Sequence, residues 1–147
     1  MIEPLKLSFV VACPAEHAFA TWTAKASSWW PVEHTASHER GAKIIFEPRQ
    51  GGRIFERTPA GREISWGEIL EWDPPRGLRY LWYIATDPAN ATDVMIVFRE
   101  LSGSSTSVEI EHGGWDGLGE IGTAWRDANH AGWEGVLPSY RASCNAS

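Results

Sequence analysis

The stretch GREISWGEILEWDPPRGLRYLWY, residues 61–83, decides how this chain is read. Two runs with strand-like alternation flank the turn Asp73-Pro74-Pro75-Arg76-Gly77. Alternate side chains of a strand face opposite sides of a sheet. Ile64, Trp66, Glu68, Leu70 and Trp72 therefore share one face, and Glu63, Ser65, Gly67, Ile69 and Glu71 the other. The apolar set contains one carboxylate, Glu68. Burying a carboxylate is costly unless it is paired, protonated or hydrogen-bonded. Either the strand bulges there, or the inner face of the sheet lines a cavity. The cavity is the reading adopted.

Upstream of this pair, Leu5 to Val11 alternates as a first strand with Leu5, Leu7, Phe9 and Val11 on one side. Pro14 then opens a short helix whose stripe is Ala15, Ala18, Phe19 and Trp22, with a second helical turn expected within Ala24 to Trp29. Trp30-Pro31 forces extended backbone. Residues 32–41 (VEHTASHERG) read as a polar loop, and residues 43–47 and 52–57 as a hairpin. Downstream, Thr92 to Leu101 and Thr106 to His112 form a further hairpin. Glu120 to Tyr140 reads as one long amphipathic helix, which Pro138 is expected to kink or end, and residues 141–147 are expected to fray.

The order is strand, short helices, a run of hairpins and a long helix, with no repeat or linker. Consecutive hairpins imply an antiparallel sheet, and the long helix must bury its apolar stripe against it. The expected fold is α+β: a curved antiparallel sheet of about six to seven strands wrapped around a long C-terminal helix, with two short helices after the first strand. All 147 residues read as one domain.

The formal charge of -6 argues against nucleic-acid and anionic-membrane partners. No apolar run is long enough to span a bilayer, and the N-terminus lacks a charged region followed by an apolar one, so a cytoplasmic location is expected. The two cysteines, Cys13 and Cys144, form no metal-spaced cluster; they fit a reduced compartment, and a disulfide between them is left open. His34 and His38 have the spacing of helical metal ligands, but the segment has little helical signal and lacks the glutamate of a zinc-protease motif. They are read as solvated histidines, and no metal or cofactor is expected. Nine tryptophans in so short a chain fill a core, line a pocket or feed an interface, a homodimer's included.

Several stretches taken in order resemble a known family. They are Cys13-Pro14-Ala15-Glu16 with Phe19 and Trp22, then Trp29-Trp30-Pro31, and Gly51-Gly52. Next come residues 66–75 (WGEILEWDPP) with Leu78 and Trp82, and His112-Gly113-Gly114-Trp115. Gly132-Trp133-Glu134 with Leu137 lies inside the long helix. The chain is similar to the START-like (SRPBCC) helix-grip superfamily, and within it to proteins related to the C-terminal domain of the activator of heat-shock-protein-90 ATPase. That resemblance implies a cavity between sheet and long helix that in relatives accepts apolar small molecules. The same fold also hosts cyclases and co-chaperone domains.

A pocket-facing set follows from strand parity and helix spacing. Trp66, Glu68, Leu70 and Trp72 face the helix, joined by Tyr80 and Trp82, with Phe98 and His112 at the ends of later strands. Trp125, Asn129, Trp133 and Val136 look back from the helix, where Gly132 and Gly135 remove side-chain volume. The expected function is binding of an apolar or aromatic small molecule. One alternative is an enzyme using Glu68 and His112 as general acid and base. Another is an interaction module with a chaperone partner. Glu68 has a bland reading as a structural carboxylate paired with Arg53 or Arg79, and His112 as a structural histidine bonded to the turn that follows it.

Overall fold

A computed structural model describes residues 1–145. Strand β1 (Leu5–Val11) leads into helix α1 (Ala15–Trp22), followed by 3₁₀ turns at Ala26–Ser28 and Val32–His34. Six further strands follow: β2 (Lys43–Phe46), β3 (Arg53–Arg57), β4 (Glu63–Asp73), β5 (Gly77–Trp82), β6 (Thr92–Ser102) and β7 (Ser105–Gly113). A 3₁₀ segment, Trp115–Ile121, then feeds helix α2 (Gly122–Asn145). The seven strands form one antiparallel sheet in the order β1-β7-β6-β5-β4-β3-β2, curled into a half-barrel around α2. Every neighbouring pair except β1–β7 is a hairpin, so the sheet is built largely from local pairing.

The alternation in β5, β6 and β7 follows the strand period up to the register shift between Glu100 and Ser102 next to the β6–β7 turn. Leu78, Tyr80 and Trp82, then Val94, Ile96 and Phe98, then Val108, Ile110 and His112 are all buried on the concave side. Strand β4 breaks that period twice. Its pairing with β3 shifts register between Ile54 and Phe55, opposite Trp66, and its pairing with β5 shifts between Ile69 and Glu71. Each extra residue in a strand reverses the parity of everything after it. Trp66 thus faces inward, Gly67 and Ile69 take the inward places after the first shift, and Trp72 turns inward again after the second. Glu68 falls between the two shifts and is exposed. The expectation that Glu68 faces the helix is therefore corrected: the bulge, not the cavity, accounts for its position. Its proposed arginine partners are engaged elsewhere, Arg53 with Glu47 and Glu63 and Arg79 with Asp93.

Helix α2 continues through Pro138 to Asn145, so the expected stop and the fraying of residues 141–145 are also corrected. Pro138 sits on the exposed side, where one lost backbone bond is tolerated. Beyond it the helix is anchored by buried Tyr140 and Cys144. The Tyr140 hydroxyl donates to Ala18 O at 2.8 Å, and the Ala12 backbone N–H donates to Asn145 Oδ1 at 2.8 Å. The expected fraying of residues 146–147 lies outside the described residues. Cys13 and Cys144 are buried free thiols that hydrogen-bond to each other where β1 meets the end of α2. Among the described residues no helix is long and apolar enough to cross a membrane.

Candidate functional site

The two ends of α2 meet the rest of the chain differently. Its C-terminal half packs on Phe9, Trp22 and Trp29 through Tyr140. Its N-terminal half stands off from the sheet and leaves a cavity of about 510 Å³. The helix side is Ala124, Trp125, Ala128, Asn129, Gly132, Trp133 and Val136. Trp82 and Ile84 from the end of β5, with Trp30 and His34 from the loop after α1, close the other sides. A volume of this size, walled by aromatic and aliphatic groups with few polar ones, is typical of small-molecule sites.

An aromatic lattice fixes these walls. Trp30 sits 5.1 Å from Trp66 and 6.1 Å from Trp82, while Trp66 and Trp82 meet edge-on at 5.7 Å. Trp133 stacks on fully buried Trp22 at 5.8 Å. The tryptophans serve two of the three expected purposes, with Trp22, Trp66 and Trp115 in the core and Trp30, Trp82, Trp125 and Trp133 on the cavity.

Buried polar groups tie the lattice down. His112 Nδ1 accepts from the Trp133 indole N–H at 3.0 Å, and its Nε2 lies 2.7 Å from Thr92 Oγ1. The Thr92 hydroxyl donates in turn to Trp82 O at 3.3 Å. This pattern assigns His112 as the neutral tautomer protonated on Nε2. Burial lowers its pKa to about 3, partly countered by Asp93. With both nitrogens engaged behind Trp133, His112 holds two cavity walls and does not line the cavity. Its ring bonds run to side chains on β6 and α2, while its carbonyl accepts from the Trp115 indole N–H of the following turn at 3.0 Å. The pairing of Glu68 with His112 as acid and base does not form, because the first is exposed and the second is sealed in the core.

The buried carboxylate of this fold is Glu56, wholly inaccessible on β3. It accepts from the Trp66 indole N–H at 3.0 Å, from the Ala36 N–H at 2.7 Å, and from both the backbone and hydroxyl of Ser37. One carboxyl group thus receives four donors and clamps the loop after His34 onto β3.

Of the expected pocket residues, Trp82, Trp125, Asn129 and Trp133 line the cavity, as does Val136. Trp66, Tyr80 and His112 are buried behind its walls. Phe98 and Trp72 pack against Phe19 instead, with ring centroids at 5.5 and 5.0 Å. Leu70 is half-buried at the second bulge. Trp30, His34, Ile84, Ala124 and Ala128 line the cavity without having been singled out for it. Among the described residues no group of three or more His, Cys, Asp or Glu side chains is placed to hold a metal ion.

A curled antiparallel sheet gripping a long helix, with a cavity between them, defines a START-like helix-grip protein. The chain belongs to the family of Activator of Hsp90 ATPase homolog 1-like proteins, whose model matches residues 12–140. Among solved structures it is similar to an anthrahydroquino-γ-pyrone synthase, Txn09, complexed with SUM, at 36% identity over 76% of each chain and a TM-score of 0.58. It is also similar to CalC, a self-sacrificing resistance protein from Micromonospora echinospora, at 26% identity over 97% of this chain and 94% of that one, with a TM-score of 0.74. An Hsp90 activator from Plasmodium falciparum, PFC0360w, shares the fold at 16% identity, covering 76% of this chain and 72% of its own, with a TM-score of 0.56. A comparison with curated proteins gives no match.

Proposed function

We propose that this protein binds an aromatic small molecule in the cavity between α2, the end of β5 and the Trp30–His34 turn. The observation that carries this reading is a cavity of about 510 Å³ walled by four tryptophans and floored by Ala124, Ala128 and Gly132. Flat aromatic walls and a helix face without bulky side chains favour a planar ligand, for which dispersion and ring stacking supply most of the affinity. The likeness to Txn09, a synthase named for a fused-ring product, supports the same class of ligand.

The test is titration of purified protein with planar tricyclic ketones and quinones, followed by tryptophan fluorescence and by native mass spectrometry. Saturable quenching with a one-to-one adduct is expected. A protein that shows neither, with any of a panel of such compounds, would sink this reading.

A further inference from the structure

We infer that His34 is a proton-transfer group acting on a ligand held in this cavity, so that the site enolises a ketone as well as binding it. The inference rests on the binding reading above and adds chemistry to it. Among the residues that line the cavity, His34 is the one with a titratable side chain. Its ring makes no hydrogen bond to any described residue, and with Nε2 packed against Gly135 the nitrogen left to a ligand is Nδ1.

The position of His34 is set with unusual care for a loop residue. Its backbone N–H donates to Pro31 O at 3.0 Å, and its carbonyl accepts from the Trp30 indole N–H at 3.0 Å. The next residue, buried Thr35, closes the turn through its hydroxyl onto Val32 O at 2.7 Å. Glu56 then holds Ala36 and Ser37. The ring itself rests on the backbone of α2 at Gly135, where a Cβ would overlap Nε2 and Cε1. A histidine so constrained loses little further freedom when it meets a substrate, which is what proton transfer in a site requires.

The cavity also supplies donors for the oxygen of an enolate. The indole N–H groups of Trp82 and Trp125 have no acceptor among the described residues, and both side chains line the cavity. The Trp82 N–H is unpaired among the described residues and is not sealed in the core, so a ligand carbonyl in the cavity would have a donor there. In the step inferred, a His34 ring nitrogen takes the proton from a ring carbon conjugated with the ketone, which in a tricyclic ketone lies across the central ring. The C–H electron pair enters the π system of that ring, which becomes aromatic, and the carbonyl π pair moves onto oxygen, which receives an indole N–H. The imidazolium then returns a proton to carbon. No oxidant or reductant enters, and the net change in deuterated water is exchange of that hydrogen for deuterium.

Anthrone, a planar tricyclic ketone with an acidic C–H, is the probe. Its deuterium uptake is followed by NMR with wild-type protein, His34→Gln and His34→Ala, while fluorescence quenching reports its affinity separately. The wild type is expected to accelerate exchange, and His34→Gln to lose about 100-fold or more of that acceleration while its affinity for anthrone changes by less than about threefold. Added imidazole should restore part of the rate to His34→Ala. Equal acceleration by wild type and His34→Gln, or binding by the wild type with no acceleration, overturns the inference and leaves the binding reading standing. Absence of quenching with anthrone and with the wider panel removes both.

Discussion

The indole N–H of Trp133 on α2 donates to Nδ1 of His112 on β7 at 3.0 Å. Through Thr92 the same imidazole reaches the carbonyl of Trp82, so one buried ring spans two walls of the cavity. Because burial lowers its pKa from 6.5 to about 3, the folded protein excludes a proton that the unfolded chain binds below pH 6.5. Stability therefore falls with pH across that window, with a slope approaching 1.4 kcal/mol per pH unit, roughly one proton's worth. Urea midpoints between pH 7 and 5, above the range of the surface carboxylates, should fall in wild type and stay nearly flat in His112→Gln. Equal slopes in the two proteins would assign the pH dependence to another group.

Where hydrophobic period and strand period agree, the sequence is read correctly. Tyr80 and Trp82 on β5, Phe98 on β6 and His112 on β7 are buried on the face expected from alternation, and β1 and α1 have the bounds read from the sequence. Strand β4 defeats the same rule because two bulges reverse its parity, and a bulge leaves no hydrophobic signature. Gly67 is its one local sign: a Cβ there would overlap Leu81 O, the close backbone approach that a strand glycine often marks. The helix side of the cavity was legible from the spacing of Trp125, Asn129 and Trp133. The loop side was not, since His34 owes its place to long-range bonds from Glu56 and Gly135's missing side chain, neither of which has a period.

Glu56 is expected to matter more to stability than any exposed ion pair. Surface pairs such as Arg76–Asp73 contribute little in water. Glu56→Ala strands the Trp66 N–H and three donors of Ala36 and Ser37, and should cost on the order of 3 kcal/mol. Glu56→Gln keeps one acceptor oxygen and should cost less. Hydrogen exchange at the Ala36 and Ser37 amides should accelerate in both. If protection there is unchanged while the urea midpoint falls, the carboxylate stabilises Trp66 and not the loop.

Gly132 separates ligand binding from folding. No atom lies within 4 Å of a Cβ built there, and the residue faces the cavity. Gly132→Leu gains up to about 0.8 kcal/mol of helix propensity while its side chain occupies ligand volume. Affinity for a planar ketone is expected to fall by about tenfold or more, with a midpoint equal to or above wild type. Unimpaired binding would place the ligand away from the middle of α2.

The cysteines should be chemically silent. Burial is the first cause of the rise in both thiols' pKa values; Cys13 is pushed up to about 12. Only a thiolate attacks a disulfide reagent at a useful rate. At pH 8 the native protein should react negligibly with 5,5′-dithiobis(2-nitrobenzoate), and both cysteines should titrate once urea is added. Fast reaction of either thiol in the native state would mean that the junction between β1 and the end of α2 opens.

Gly135 tests the placement of His34 without touching the imidazole. An alanine Cβ would occupy the space of its ring nitrogen and displace it from the helix surface. Alanine is also the better helix former by about 1 kcal/mol, so Gly135→Ala is not expected to unfold the protein. Its expected signature is an anthrone affinity near wild type, a deuterium-exchange rate reduced towards that of His34→Gln, and a urea midpoint that does not fall. A fully active Gly135→Ala would show that His34 works from another rotamer. Gly135 would then be a consequence of close packing between loop and helix and not a requirement of the chemistry.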